Sequence, residues 1–350
     1  VAATATNTPV PPTATNTPVP PTATNTSVPP TPTNTPVGPT PTNTPVGTGD
    51  QIYLSSASGG TAGGVAFADE DILLYNKTSG AYSLYFDGSD VGLGANNNQD
   101  IDAFDLRADG SILLSIIGDT TLPVIGAVDD SDIVRFIPTQ LGTTTAGTFE
   151  LYFDGSDVGL TTTAEDVDAL NVLNDGSIIL STAGNHSVTG VSGNDEDLLR
   201  FVPTSTGATT SGTWSIYFDG SDVGLNNATS EQVNAVWVHP NGNLYLSSFG
   251  TFAVTGTSGD GSDIYICGLG TLGASTSCNF SLYFDGSVSG FSGQVTDGIE
   301  VVPSAALAVG APNRVPVEND PANALPDPAA NGPDDVDVNA DIPDEEKADN

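Results

Sequence analysis

The sequence predicts an all-β fold of four tandem repeats, closed into a four-bladed β-propeller. Three observations carry the prediction. Tyr-Phe-Asp-Gly-Ser-Asp-Val-Gly-Leu occurs at 85–93, 152–160 and 217–225, and a worn copy, Tyr-Phe-Asp-Gly-Ser-Val-Ser-Gly-Phe, fills 283–291. The first tyrosines of successive copies lie 67, 65 and 66 residues apart, and a unit of this length in tandem marks a ring or a stacked array. Each copy also holds four short strand-like runs, the content of one propeller blade. Finally, the two ends of the repeat region are offset. Gln51–Ser56 matches Asn243–Ser248, so the region begins with the last strand of a unit. Asp297–Val302 matches Val233–Val238, so the final copy lacks that strand. An N-terminal strand completing the last blade hides two sheet edges; an elongated array gains nothing from the offset. Eight blades built from two chains, or an elongated array, are the alternatives.

In chain order, residues 1–49 come first, as a Thr/Pro-rich stalk. Thr-Ala-Thr-Asn-Thr-Pro-Val-Pro-Pro begins at Thr4 and Thr13, begins again with one change at Thr22, and drifts to Thr-Pro-Thr-Asn-Thr-Pro-Val-Gly at Thr31 and Thr40. Proline fixes φ and removes a backbone donor, which leaves extended polyproline II. At ~3.1 Å per residue the tract reaches on the order of 150 Å. Thr with Pro in this density reads as an O-glycosylated stalk, with Thr4, Thr6, Thr8, Thr13, Thr15, Thr17, Thr22, Thr24, Thr26, Thr31, Thr33, Thr35, Thr40, Thr42 and Thr44 as acceptors. An unmodified linker is the alternative. Because the chain opens with Val1 inside a repetitive tract, we read it as a processed or truncated chain.

Residues 50–303 are the repeats. In the third copy, Asp197–Val202 reads as a strand, 203–207 as a turn and Trp214–Phe218 as a second strand. Val233–Val238 and Asn243–Ser247 are joined by the Asn-Gly hairpin of 240–243. Trp214, Ile216 and Phe218, with Tyr82, Leu84 and Phe86, with Phe149, Leu151 and Phe153, and with Phe280, Leu282 and Phe284, point one way along their strands. Tyr85, Tyr152, Tyr217 and Tyr283 point the other way. A strand apolar on both faces is covered on both, so these aromatics are assigned to the core between blades. Residues 304–350 form a tail with 11 acids against Arg314 and Lys347. Its Pro, Asn and Asp content buries too little apolar surface to offset chain entropy.

The formal charge is -37, from 43 Asp+Glu against 6 Lys+Arg. That balance excludes nucleic acid and an anionic membrane surface as partners, because both require basic groups. No apolar run is long enough to span a bilayer. Most of the acids are Asp, which suits turns and calcium sites rather than helices. Asp71, Asp132, Asp197 and Asp263 open the first strand of each copy, and Asp69, Asp130 and Asp195 lie two residues earlier. Asp87, Asp154 and Asp219 begin the Asp-Gly-Ser turn, and Asp90, Asp157 and Asp222 end it. Asp102, Asp168, Asn234 and Asp297 recur at the third strand or its approach. Two readings stay open. Asp side chains accept backbone N–H groups in turns, or the Asp69/Asp71-type pairs and the Asp-Gly-Ser-Asp loops ligate Ca²⁺. Ser289 and Val288 break the loop in the fourth copy, which would cost it any metal site using the second Asp. An acidic surface adapted to saline water is a third account.

Cys267 and Cys278 replace Phe201 and Gly212 in the repeat alignment, on facing strands of one hairpin. This predicts a disulfide. The only histidines, His186 and His239, lack a nucleophile motif beside them, and no Gly-x-Ser-x-Gly elbow is present. Paired carboxylates serve glycosidases, but these Asp residues recur in every copy, whereas an active site breaks repeat symmetry.

The Tyr-Phe-Asp-Gly-Ser-Asp-Val-Gly-Leu repeat, followed by Asp-Val-Asp-Ala-Leu and Asp-Gly-Ser-Ile-Ile-Leu-Ser, resembles secreted repeat proteins of environmental bacteria. The Thr-Ala-Thr-Asn-Thr-Pro-Val-Pro-Pro tract resembles the stalks of cell-surface proteins. The resemblance implies an exported, envelope-associated protein and brings no catalytic residues with it. The expectation is therefore a non-enzymatic extracellular surface or adhesion module, its partners glycans or surface proteins. A self-assembling subunit of a glycosylated filament and a secreted propeller hydrolase are the alternatives.

Overall fold

Strands form where apolar residues alternate and stop where the sequence supplies a turn. Val233–Val238 runs into Asn241-Gly242, and Gly242 takes a φ of 92°, which costs glycine nothing. Leu244–Ser248 then returns antiparallel. The computed structural model describes residues 49–94, 98–226 and 228–304. The threonines of the Thr/Pro tract, and the acidic tail from residue 305, lie outside the described residues.

The described strands build four antiparallel four-stranded sheets, each a blade. From inner to outer strand, blade 1 is Ile101–Leu106, Ile112–Ile116, Ile133–Gln140 and Ala146–Phe153. Blade 2 is Val167–Val172, Ile178–Thr182, Leu198–Ser205 and Ser211–Phe218. Blade 3 is Val233–Val238, Leu244–Ser248, Ile264–Thr271 and Ser277–Phe284. Blade 4 takes its inner strand, Thr296–Val302, from the C-terminal side and Gln51–Ser56, Ile72–Asn76 and Ala81–Phe86 from the N-terminal side. The register Gln51↔Val302, Ile52↔Val301, Tyr53↔Glu300 and Leu54↔Ile299 closes the ring. Each inner strand packs on the next and the fourth packs on the first.

Two details differ from the sequence reading. A repeat is not one blade: its first two strands are the outer pair of one blade, and its last two are the inner pair of the next. Also, Thr296 pairs Ser56 as Val233 pairs Ser248, so Asp297 is the counterpart of Asn234 and the alignment of the last strand moves by one residue. The sequence reading also passed over a two-stranded hairpin between the second and third strands of every blade, such as Thr120–Leu122 with Gly126–Val128.

The core lies in four clusters, one between each pair of neighbouring blades. Phe86, Phe153 and Phe218 are fully buried in them. Phe86 meets Phe136, and Phe153 meets Phe201, edge to face. Tyr85 and Tyr283 are buried, and Tyr152 and Tyr217 half-buried. Leu282 departs from the expectation and lies exposed, unlike its counterparts Leu84, Leu151 and Ile216, which pack against the core clusters.

Cys267 and Cys278 are bonded, with their Cα atoms 5.0 Å apart. In blades 1 and 2 this position holds a ring over a glycine: a Cβ on Gly147 or Gly212 would collide with Phe136 or Phe201. The disulfide therefore replaces an aromatic–glycine contact. Closing so short a loop stabilises by about 2–3 kcal/mol. We expect Cys267→Ser/Cys278→Ser to lower Tm by roughly 5–10 °C, and Cys267→Phe/Cys278→Gly to lower it less. A calorimetric Tm unchanged by the serine pair would show that the bond carries no stability.

A candidate ligand pocket at the mouth of the propeller

The Asp residues read as calcium candidates are placed as turn caps and latches. Asp71 accepts the backbone N–H groups of Ala68 and Gly88, at 2.8 and 3.1 Å. Asp132 takes those of Asp129 and Gly155, Asp197 those of Asn194 and Gly220, and Asp263 those of Asp260 and Gly286. Burial raises all four carboxyls above the ordinary range, Asp132 to about 7, while the amide donors pull the other way. The glycine that donates has no room for a side chain: a Cβ on Gly88 would strike the carbonyl of Glu70.

The two Asp residues of the Asp-Gly-Ser-Asp loop reach the next blade. Asp87 accepts the Ser89 hydroxyl at 2.7 Å, and its own N–H donates to Thr145 Oγ1 at 2.9 Å. Asp90 accepts the Thr145 N–H at 2.8 Å. Asp154 and Asp157 hold Thr210 in the same way, and Asp219 and Asp222 hold Thr276. The fourth copy has no second Asp, and the blade it faces turns tightly at Lys77–Gly80, where Asn76 Oδ1 accepts the N–H groups of Thr78 and Ser79. There Tyr283 donates to Asp50 at 2.9 Å, and Lys77 sits 3.7 Å over the Tyr283 ring. The backbone carbonyls of Asp69, Asp130 and Asp195 accept the first N–H of the following inner strand. Among the described residues no group of three His, Cys, Asp or Glu converges on a point that could hold a metal.

What the structure brings together instead is the mouth where the inner strands end. A cavity of about 680 Å³ opens there, within the range of small-ligand sites. The equivalent inner-strand positions carry Asp105, Asn171, Trp237 and Glu300, and two residues on stand Arg107, Leu173, His239 and Val302. The first four are buried. Asp105 accepts from Arg107 Nη1 at 2.8 Å, from Asn171 Nδ2 at 2.9 Å and from the Val172 N–H at 2.8 Å. Asn171 Oδ1 accepts the Val238 N–H at 3.2 Å. A belt of hydrogen bonds thus crosses three blades. The Trp237 ring stands edge-on to His239 and to Tyr245. The ends of the described body meet at this face, where the Ser304 N–H donates to Asp50 at 2.9 Å.

No protein-family model and no curated protein matches the sequence. Solved structures align with part of it, two of them as follows. One is the extracellular domain of a putative one-component system from B. thetaiotaomicron, 13% identical, covering 63% of this chain and 33% of its own, with a TM-score of 0.22. The other is YCF48 bound to a D1 peptide, 9% identical, covering 67% and 70%, with a TM-score of 0.23. The chain thus spans about a third of the first structure's length. Neither likeness bears on the pocket.

The mouth residues escaped the sequence reading because they share no residue type. Their signal was the converse: variation at one position of an otherwise faithful repeat. His186, the other histidine, is buried away from this site beside Thr182, and burial lowers its pKa.

Proposed function

We propose that this chain is a non-enzymatic extracellular binding module whose mouth pocket takes a neutral glycan. One observation carries the reading. The rim motif repeats almost verbatim, while the axial mouth positions differ in every blade, as Asp105, Asn171, Trp237 and Glu300. A scaffold needs the same residue four times; a ligand without fourfold symmetry needs four different ones. Buried carboxylates and an amide suit sugar hydroxyls, and an indole offers an apolar face to a pyranose ring. The disulfide, the Thr/Pro tract and the resemblance to secreted repeat proteins favour export. Among the described residues, no helix is long and apolar enough to cross a membrane.

Asp105 and Glu300 come from unlike copies, the arrangement a hydrolase requires. Asp105, however, already accepts three hydrogen bonds, one from an arginine, which ties up its oxygens in positioning neighbours and favours binding over proton transfer. The test is a glycan array with the full chain, followed by calorimetric titration of the best neutral oligosaccharide. Trp237→Ala and Arg107→Ala should each weaken binding by tenfold or more with the Tm transition still cooperative. Retention of no glycan, affinity unmoved by both substitutions, or cleavage of the bound sugar would each overturn the proposal.

A further inference from the structure

The opposite end of the central channel is built differently. Three of the four inner strands place an Asp at the same position, Asp102, Asp168 and Asp297, and the fourth places Asn234. Asp166, two residues before Asp168, joins them. These four Asp are 7, 5, 3 and 6% exposed in the order Asp102, Asp168, Asp297, Asp166. The amides around them are used: Gln232 donates to Asp168, and Asn234 to Asp297, both at 2.6 Å. Asp100 and Asp130 add negative charge from the rim. The basic residues among those described are engaged elsewhere, Arg107 with Asp105 at the other mouth, Arg135 with Asp109, Arg200 with Asp175, and Lys77 at Tyr283.

A second observation points to a ligand. Asp166 Oδ1 is buried without a hydrogen-bond partner, and Asp166 leads directly into the inner strand Val167–Val172 that carries Asp168. Each unpartnered buried carboxylate oxygen costs free energy that a cation removes. We propose that this axial collar is a divalent-cation site, with Asp102, Asp166, Asp168 and Asp297 as its carboxylates and Ca²⁺ as its ion. An all-oxygen donor set of irregular geometry, with no imidazole or thiolate, selects Ca²⁺ over transition metals, and over Mg²⁺, which demands a regular octahedron. No three of these groups already meet at one point, so the ion keeps water in its shell and side-chain rotation brings the carboxylates in.

The experiment titrates Ca²⁺ into the full chain after EDTA and desalting, with Mg²⁺ at matched ionic strength as comparator. We expect a saturable heat and a raised Tm with Ca²⁺ only. Asp168→Asn/Asp297→Asn should weaken Ca²⁺ binding at least tenfold, yet raise the Tm of the metal-free protein, because it relieves repulsion. The second readout separates loss of the site from loss of the fold. Identical Tm in millimolar Ca²⁺ and in EDTA, Ca²⁺ binding unchanged in the double variant, or a metal-free variant less stable than the parent would each overturn the assignment.

Discussion

Leu54→Asp is expected to abolish the cooperative folding transition of this protein. Leu54 lies in Gln51–Ser56, which pairs with Thr296–Val302 on one side and Ile72–Asn76 on the other. Ile52 and Leu54 are fully buried in the cluster between blades 3 and 4. An unpaired carboxylate there has no donor within reach, and burying it exceeds what one domain's net stability tolerates. Leu54→Ala provides the graded version, with a cost of about 2–5 kcal/mol. Loss of the strand does more than empty a core. It exposes the edge of the inner strand Thr296–Val302 and that of Ile72–Asn76, and two open edges of one broken ring are a template for aggregation. The prediction is checked by urea unfolding monitored by tryptophan fluorescence and by size exclusion. A sharp, unshifted transition in Leu54→Asp would mean that the ring does not depend on its closing strand.

That dependence was legible in the sequence because it rests on a local match. Gln51–Ser56 copies Asn243–Ser248, and the copy identifies both the strand and the gap it fills. The disulfide was legible for the same reason, as two residues out of step with three other copies. The phase of the blades was not. A repeat boundary and a blade boundary differ by half a unit whenever closure mixes the ends, and periodicity alone does not choose between them. The mouth pocket was hidden because its residues come from four inner strands far apart in sequence and share nothing there but a position. The rim latches were half-visible. Asp90, Asp157 and Asp222 were evident as repeated acids, but their partners Thr145, Thr210 and Thr276 sit on the next blade, 53 to 55 residues away. Where the fourth copy lacks the second Asp, the seam to the closing blade is made by Tyr283, Asp50 and Lys77 instead.

The capping and metal readings of the repeated Asp separate at Asp197. Its carboxylate accepts the N–H groups of Asn194 and Gly220 and joins the start of one outer strand pair to the turn that follows it. Asn at this position keeps one acceptor oxygen and turns an NH₂ toward the other N–H, so a bond is lost and a buried donor is left facing a donor. Bonds to a charged group contribute about 1.5–3 kcal/mol each, and a donor stranded in the interior costs a similar amount. Asp197→Asn should therefore destabilise by ~2–4 kcal/mol, by the same amount in EDTA and in Ca²⁺. The axial pair Asp168→Asn/Asp297→Asn should behave in the opposite sense in EDTA, because its charges oppose one another rather than satisfying backbone amides. Same-type substitutions with opposite signs distinguish carboxylates that the fold uses as acceptors from those it crowds together. A penalty at Asp197 that appears only in Ca²⁺ would return the rim turns to the metal reading and remove the capping role argued from their geometry.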